Sequence, residues 1–276
     1  MQSAAMVYKS NSLVEAAYRL TVQEQRIVLA CIGQVRRNET VTDEVLYSIT
    51  AADLAGLSGM AVGDSYKELK DAALRLKRRE VRLTKEPNGE GKKPKVMITG
   101  WVQTIFYIEG EGRVELRFTK DILPYLTGLQ REFTRYALSD VAKMTSAYGI
   151  RLYEVLVQWP EGHRVVEVTD LRRWLQLEDR YPLMADLRRW VIEPAIEQIN
   201  EHSPLMVSWS QRKTGRRVTH LVFDYAPKKP VKAVSKAPTK RKAGKISDAE
   251  IAKQARPGES WEAARARLTQ ISLALA

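Results

Sequence analysis

Arg188 and Arg189 stand together just ahead of an apolar run, and four further cations, Arg212, Lys213, Arg216 and Arg217, surround Gly215 a little later. A guanidinium offers a planar fork of N–H donors that fits guanine O6 and N7 together. Arginines at the entrance of a helix therefore suit reading of a base edge in the major groove of DNA. Cations crowded at one turn without an acid repel one another, and an external phosphate answers that repulsion. An earlier stretch, residues 65–79, holds a comparable set: Lys67, Lys70, Arg75, Lys77 and Arg78. Wound at about 100° per residue, it gathers Tyr66, Leu69, Ala73 and Leu76 on one side. Lys67, Asp71 and Arg78 then fall opposite, Lys70 and Lys77 on one flank, and Arg75 beyond the other edge. Lysines there suit phosphates, and Arg75 and Arg78 can also reach a guanine edge. Each set has a plainer alternative: a solvated helix face, a surface ion pair such as Arg188 with Glu193, or a polar loop tip.

Signatures of catalysis do not assemble. Gly89, Glu90, Gly91, Lys92 and Lys93 superficially suggest a phosphate loop, but Glu86 stands where the first glycine belongs and Lys93 where serine or threonine belongs. His163, His202 and His220 are scattered, with no His-x-His pair, which speaks against a metal-dependent nicking enzyme with a tyrosine nucleophile. His220 falls in a strand pattern and reads as a packed residue. No acidic pair stands out for two-metal phosphoryl transfer. Cys31 is the one cysteine and lies on the apolar face of a predicted helix, so it excludes a disulfide framework and reads as a small buried hydrophobe. We therefore expect no catalysis, no cofactor and no metal.

The elements that would carry the cations occur twice in one order. Thr21 and Glu24 form a capping-box pattern ahead of Ile27, Val28, Cys31, Ile32 and Val35, which recur at helical spacing and leave Gln23, Arg26 and Gln34 elsewhere. VLYSIT (45–50) reads as a strand, and Thr50 with Asp53 caps a short helix, ADLAGL. A break at Gly63 and Asp64 precedes the basic helix at 65–79, after which residues 96–108 and 113–119 are rich in β formers. EPNGEGKKPK between them is a hairpin tip by composition. The second half repeats the order: a long helix at 145–159, a strand at 164–169, a short helix DLRRWLQL, the helix at 183–201, then a hairpin over 205–225. Helix, strand, helix, helix, hairpin is the winged-helix order, and the boundary between its two copies falls near residues 128–137. Asp186, Arg188 and Arg189 then occupy the first turn of the second recognition helix, the part that enters the groove. Leu187, Val191, Ile192, Ala195, Ile196 and Ile199 form its buried side, and Pro194 kinks or restarts it.

The formal charge of +12 over 276 residues is uneven. From Ala226 onward 12 basic and 4 acidic side chains leave +8, so residues 1–225 carry only +4. Residues 226–245 have eight Lys or Arg, no acid and three prolines, a disordered composition; helical spacing returns over 259–275 through Trp261, Ala264, Leu268, Ile271 and Leu275. A polyanionic partner suits this distribution. Apolar runs such as VLVQW and IVLACI are too short to cross a bilayer, and no secretion signal is expected at the start, so a cytosolic setting is expected and no membrane partner.

Four blocks also resemble a known family. SNSLVEAAYRLTVQEQRIVL (10–29), LQREFTRYALSD (129–140), YGIRLYEVLVQW (148–159), and MADLRRWVIEPAIEQIN with RRVTHLVFDY (184–200 and 216–225) agree in order and spacing with iteron-binding plasmid replication initiators of the RepE/Pi type. The likeness spans about residues 8–225. It implies an α+β fold of two tandem winged-helix domains in pseudo-twofold architecture. An N-terminal domain (8–130) would dimerise and contact DNA, a C-terminal domain (131–225) would be the main DNA reader, and a basic, largely disordered tail (226–276) would follow. Base-reading positions then fall on Arg188 and Arg189 and on the helix from Tyr66 to Arg79. The resemblance further implies monomers that bind direct repeats (iterons) in double-stranded origin DNA, open the origin and promote helicase loading. Dimers in equilibrium with them would repress their own gene, with host chaperones shifting the balance. Host initiator and replicative helicase are the implied partners, in the bacterial cytoplasm on plasmid or nucleoid. One departure is Trp190, which stands where a RepE-type sequence continues an arginine run; it either packs inward or touches a thymine methyl. Two other functions stay open beside this one: a plain winged-helix repressor, which would not melt DNA, and a nicking replication enzyme.

Overall fold

The computed structural model describes residues 5–36, 41–89, 96–108, 110–228, 254, 256 and 259–274. The chain opens with β1 (Met6–Ser10), the single turn α1 (Asn11–Val14) and β2 (Ala17–Tyr18), all too short to show a period in sequence. At α2 (Val22–Ile32) the expected capping box is present: the Thr21 hydroxyl accepts from the Glu24 amide at 3.3 Å, and the Glu24 carboxylate accepts from the Thr21 amide at 2.8 Å. β3 (Tyr47–Thr50) leads into α3 (Ala51–Ser58) through a second capping box, Thr50 with Asp53, and α3 stops at Gly59, whose φ of +72° a side chain would disfavour. α4 (Val62–Leu76) begins three residues ahead of the expected start, with Gly63 and Asp64 inside its first turn. An acid there faces the positive end of the helix dipole, which offsets the glycine next to it. Its buried side is Ser65, Leu69, Ala72, Ala73 and Leu76, whereas Tyr66, expected among them, is exposed.

The β-rich run at 96–108 divides at Trp101. β4 (Glu80–Leu83) and β5 (Met97–Gly100) pair antiparallel in a sheet ordered β2–β4–β5, while β6 (Val102–Ile108) and β7 (Arg113–Phe118) join β3 in a sheet ordered β3–β7–β6. Trp101, at the change of sheet, is fully buried, with the Tyr18 ring edge-on at 4.9 Å. Residues 90–95, including most of the glycine- and lysine-rich tip, lie outside the described residues.

β8 (Phe133–Ala137) returns to pair antiparallel with β1, and α5 (Ser139–Ala142) follows. The second winged unit then runs α6 (Ala147–Val157), β9 (His163–Glu167), α7 (Val168–Trp174), α8 (Met184–Leu187), a π-helical turn Arg188–Ile192, α9 (Glu193–His202), and the hairpin β10 (Leu205–Thr214) with β11 (Arg217–Pro227). Its sheet is ordered β9–β11–β10, the same placement as β3–β7–β6 in the first. In both units the strand before the second helix sits beside the last strand of the hairpin. The repeat is one of topology.

The two units share one continuous core. α2 is enclosed on more sides than its period suggests, because α5 and the start of α6 cover the face left to Arg26. Arg26 is buried and donates to the carbonyls of Ala142 (3.0 Å) and Met144 (3.1 Å), and Gln25 reaches the Ala147 carbonyl at 3.1 Å. Deeper in, Glu154 of α6 is fully buried and accepts from Lys9 (2.6 Å), Arg151 (3.1 Å), Tyr136 (2.6 Å) and Tyr18 (3.3 Å). Burial alone would raise its pKa, but Lys9 and Arg151 hold it on balance below the usual carboxylate range. One carboxylate thus joins β1, β2, β8 and α6.

The described part of the tail is a separate unit, in which α10 (Trp261–Ala274) lies where helical spacing is expected, with Ala264 and Leu268 buried and Arg267 on Glu259 at 2.9 Å. The tail's basic, proline-containing run, expected to be disordered, lies almost wholly outside the described residues. Among the described residues no helix is long and apolar enough to cross a membrane.

Candidate nucleic-acid interface

Two places carry the expected cations, one in each winged unit. Lys67 on α4, and Lys77 and Arg78 just past its end, are exposed and have no ion-pair partner among the described residues. Lys70 is half-buried, its Nζ 4.9 Å from the centre of the Tyr107 ring on β6. Arg75 is held between two acids, Glu24 at 3.3 Å and Glu68 at 3.2 Å. The same fully buried Glu24 takes a fork of bonds from Arg79 at 2.9 and 3.0 Å. A single carboxylate therefore caps α2 and ties down the end of α4, and Arg75 keeps only part of its donor set for other work. Nothing in the linear sequence marks Glu24 for that second task, because its partners lie more than fifty residues away.

In the second unit the expected recognition helix starts at Met184, within a residue of the expected 183, but its two arginines fall later than the first turn expected for them. Leu183 is its N-cap, so Asp186 lies in the first turn, and Arg188 and Arg189 fall in the next one. That turn is π-helical, with the Glu193 amide donating to the Arg188 carbonyl. Pro194 is the cause: it has no amide to return to the Trp190 carbonyl, and its ring displaces the ordinary ladder. The expected buried side is present in full, Leu187, Val191, Ile192, Ala195, Ile196 and Ile199 all being under 9% exposed. Arg188, Arg189 and Trp190 stand consecutively outside it. Arg188 Nε meets Glu193 at 3.3 Å with both side chains more than half exposed, a pair too wet to hold the arginine firmly. Arg189 lies over the Trp190 ring at 4.8 Å.

The turn that delivers this helix is organised by Arg172 of α7, which sequence reasoning missed. Its guanidinium donates to the carbonyls of Leu177 (3.2 Å), Arg180 (2.8 Å), Tyr181 (2.6 Å) and Pro182 (3.4 Å). Gln176 and Tyr181 adopt left-handed backbone, φ +50° and +52°, and such non-glycine conformations persist where surrounding bonds over-determine them.

The strands of the wing run further than the sequence suggests, leaving Gly215 and Arg216 as the turn, Gly215 at φ +62°. Arg212 and Lys213 are thus on β10 and Arg217 on β11. All four tip cations are exposed, and none has an ion pair among the described residues. Thr214 and Arg217 are paired across the hairpin, so by alternation Arg212, Thr214 and Arg217 share a face and Lys213 takes the other. A cleft of about 590 Å³ lies between this wing and the entrance of the recognition helix, lined by Arg172, Pro182, Met184, Arg216, Arg217 and His220. Helix entrance and wing of the second unit are therefore neighbours, as a groove-reading helix with a backbone-gripping wing requires. Among the described residues no group of three or more His, Cys, Asp or Glu is placed to hold a metal ion. Buried Cys31 has its thiol pushed far up by desolvation.

Residues 6–157 match the family model described as Initiator Replication protein, WH1, and residues 167–225 match the one described as Initiator Rep protein, WH2. An uncharacterized 27.6 kDa protein of Escherichia coli is 28% identical over 237 residues, covering 80% of this chain and 95% of the relative. A replication initiation protein of Escherichia coli is 26% identical over 231 residues, covering 80% and 69%. The crystal structure of Pi initiator protein in complex with iteron DNA superposes with a TM-score of 0.69 at 20% identity, over 82% of this chain and 99% of that one. The shared fold is a pair of winged-helix domains in tandem.

Proposed function

Because this chain belongs to the initiator replication protein family, we propose that it initiates plasmid replication by binding directly repeated origin sequences as a monomer through both winged-helix units. The observation that carries this is the second unit's surface. The recognition helix carries two exposed arginines, and the wing beside its entrance carries four exposed cations with no ion pair among the described residues. Two of the four, Arg216 and Arg217, line the cleft between wing and helix entrance; a helix that reads bases beside a wing that grips phosphates would need such a pairing. Residues 131–225 are then the main reader, with Arg188 and Arg189 on base edges and Arg212, Lys213, Arg216 and Arg217 on the backbone. Residues 8–130 add a second contact through Lys67, Lys77 and Arg78, with Lys70 and Arg75 at its edges, and form the homodimer that represses the chain's own gene. The Pi relative seen with iteron DNA supports the choice of ligand. Binding of the repeats opens the adjacent origin and brings in the host initiator and replicative helicase, chaperones shifting dimer to monomer. No bond is made or broken by this chain.

The test is a fluorescence-anisotropy titration of the full chain on direct repeats upstream of its own gene against scrambled duplex, at two salt concentrations. Selective binding that survives the higher salt is expected, as is permanganate reactivity in the neighbouring AT-rich DNA. Equal, salt-labile binding to both duplexes would refute base reading. Metal-dependent nicking of supercoiled origin DNA would refute the absence of catalysis.

A further inference from the structure

Trp190 is 53% exposed and Leu183, the N-cap, is 65% exposed, whereas the other large apolar side chains of the helix are buried, save half-buried Met184. Leu187 and Val191, on either side of the exposed trio, are at 0% and 2% and fix the rotation of the helix, so the indole cannot turn inward without withdrawing them from the core. Arg189 lies over the ring at 4.8 Å and holds it beside a base-reading guanidinium. In the major groove each base pair shows hydrogen-bonding groups, and its one apolar feature is the thymine C5-methyl. Building on the reading of this helix as the base reader, we propose that Trp190 determines specificity by packing on a thymine methyl, next to a guanine taken by Arg189. The repeat bound by this chain then differs in that half-site from one read by a continuous arginine run, and it contains a thymine whose methyl matters although no hydrogen bond reads it.

The test uses the full chain and a duplex enriched by it from a random-sequence pool. Each thymine of that duplex is replaced singly by uracil, which keeps pairing and removes only the methyl. Wild type should bind about four-fold more weakly with uracil at one or two positions, the transfer free energy of one methyl. W190A should bind the parent duplex more weakly and show no further loss with uracil there; W190F, which keeps an aromatic ring, should retain part of the effect. Indifference of wild type to every uracil, or an undiminished uracil effect in W190A with native circular dichroism, would overturn the assignment. Selectivity over scrambled duplex, read in the same titrations, separates the two levels. If selectivity persists without uracil sensitivity, only Trp190 is misassigned; if it is absent, the reading of this helix falls as well.

Discussion

Neutralising the wing, R212Q/K213Q/R216Q/R217Q, should change how binding depends on salt far more than it changes which sequence is preferred. The size follows from the hairpin's register. Arg212 and Arg217 share a face, Lys213 points the other way, and Arg216 sits in the turn beside the cleft. One phosphate backbone lying on one face therefore meets two or three of the four. Each neutralised phosphate contributes about 0.9 to the slope of log K against log salt, so the slope should become shallower by about 1.8 to 2.7. Between 50 and 200 mM salt this means that wild type loses about 12- to 40-fold more affinity than the variant. All four side chains are exposed and without ion pairs among the described residues, so the melting temperature should not fall. Anisotropy titrations over four salt concentrations, on the selected repeat and on scrambled duplex, measure both quantities. An unchanged slope would mean that the tip is merely solvated; a collapse of selectivity at constant slope would mean that it reads bases. Either result refutes the division of labour between wing and helix.

Three further sets of variants test the rest of the molecule. R188A and R189A should each cost about 1–3 kcal/mol on the selected repeat and relax preference at one base pair, and equal losses on scrambled duplex would contradict base reading. E154Q strands buried Lys9 and should cost about 3–5 kcal/mol of stability by urea denaturation at neutral pH, a change under about 1 kcal/mol counting against the buried network. Glu154's folded pKa is lowered, so its contribution is present above the unfolded value of about 4.3 and is lost as pH falls through the folded one; E154Q should therefore flatten the acid limb. Truncation after Tyr225 removes a segment of net charge +8 and should weaken binding at low salt while leaving sequence preference intact, and lost preference would contradict a purely electrostatic role for the tail.

What the sequence determined by itself is what depends on near neighbours along the chain. Two capping boxes, the apolar stripe of the recognition helix, its disturbance ahead of Pro194 and the basic hairpin were legible because caps, periods and proline act within a few residues. The winged-helix order could be read twice for the same reason. Tertiary structure decided what depends on distant partners. Arg26, polar by its place on α2, is buried because α5 and α6 close over it, and the run at 96–108 splits because one end pairs with β4 and the other with β7, in two different sheets. Arg75 and Arg79 converge on Glu24, Arg172 gathers four carbonyls of the turn ahead of the recognition helix, and Trp190 faces outward. A side chain's type limits what it can bond, but its freedom to meet a ligand is whatever the folded chain leaves unused, and that is settled only when all the elements have packed.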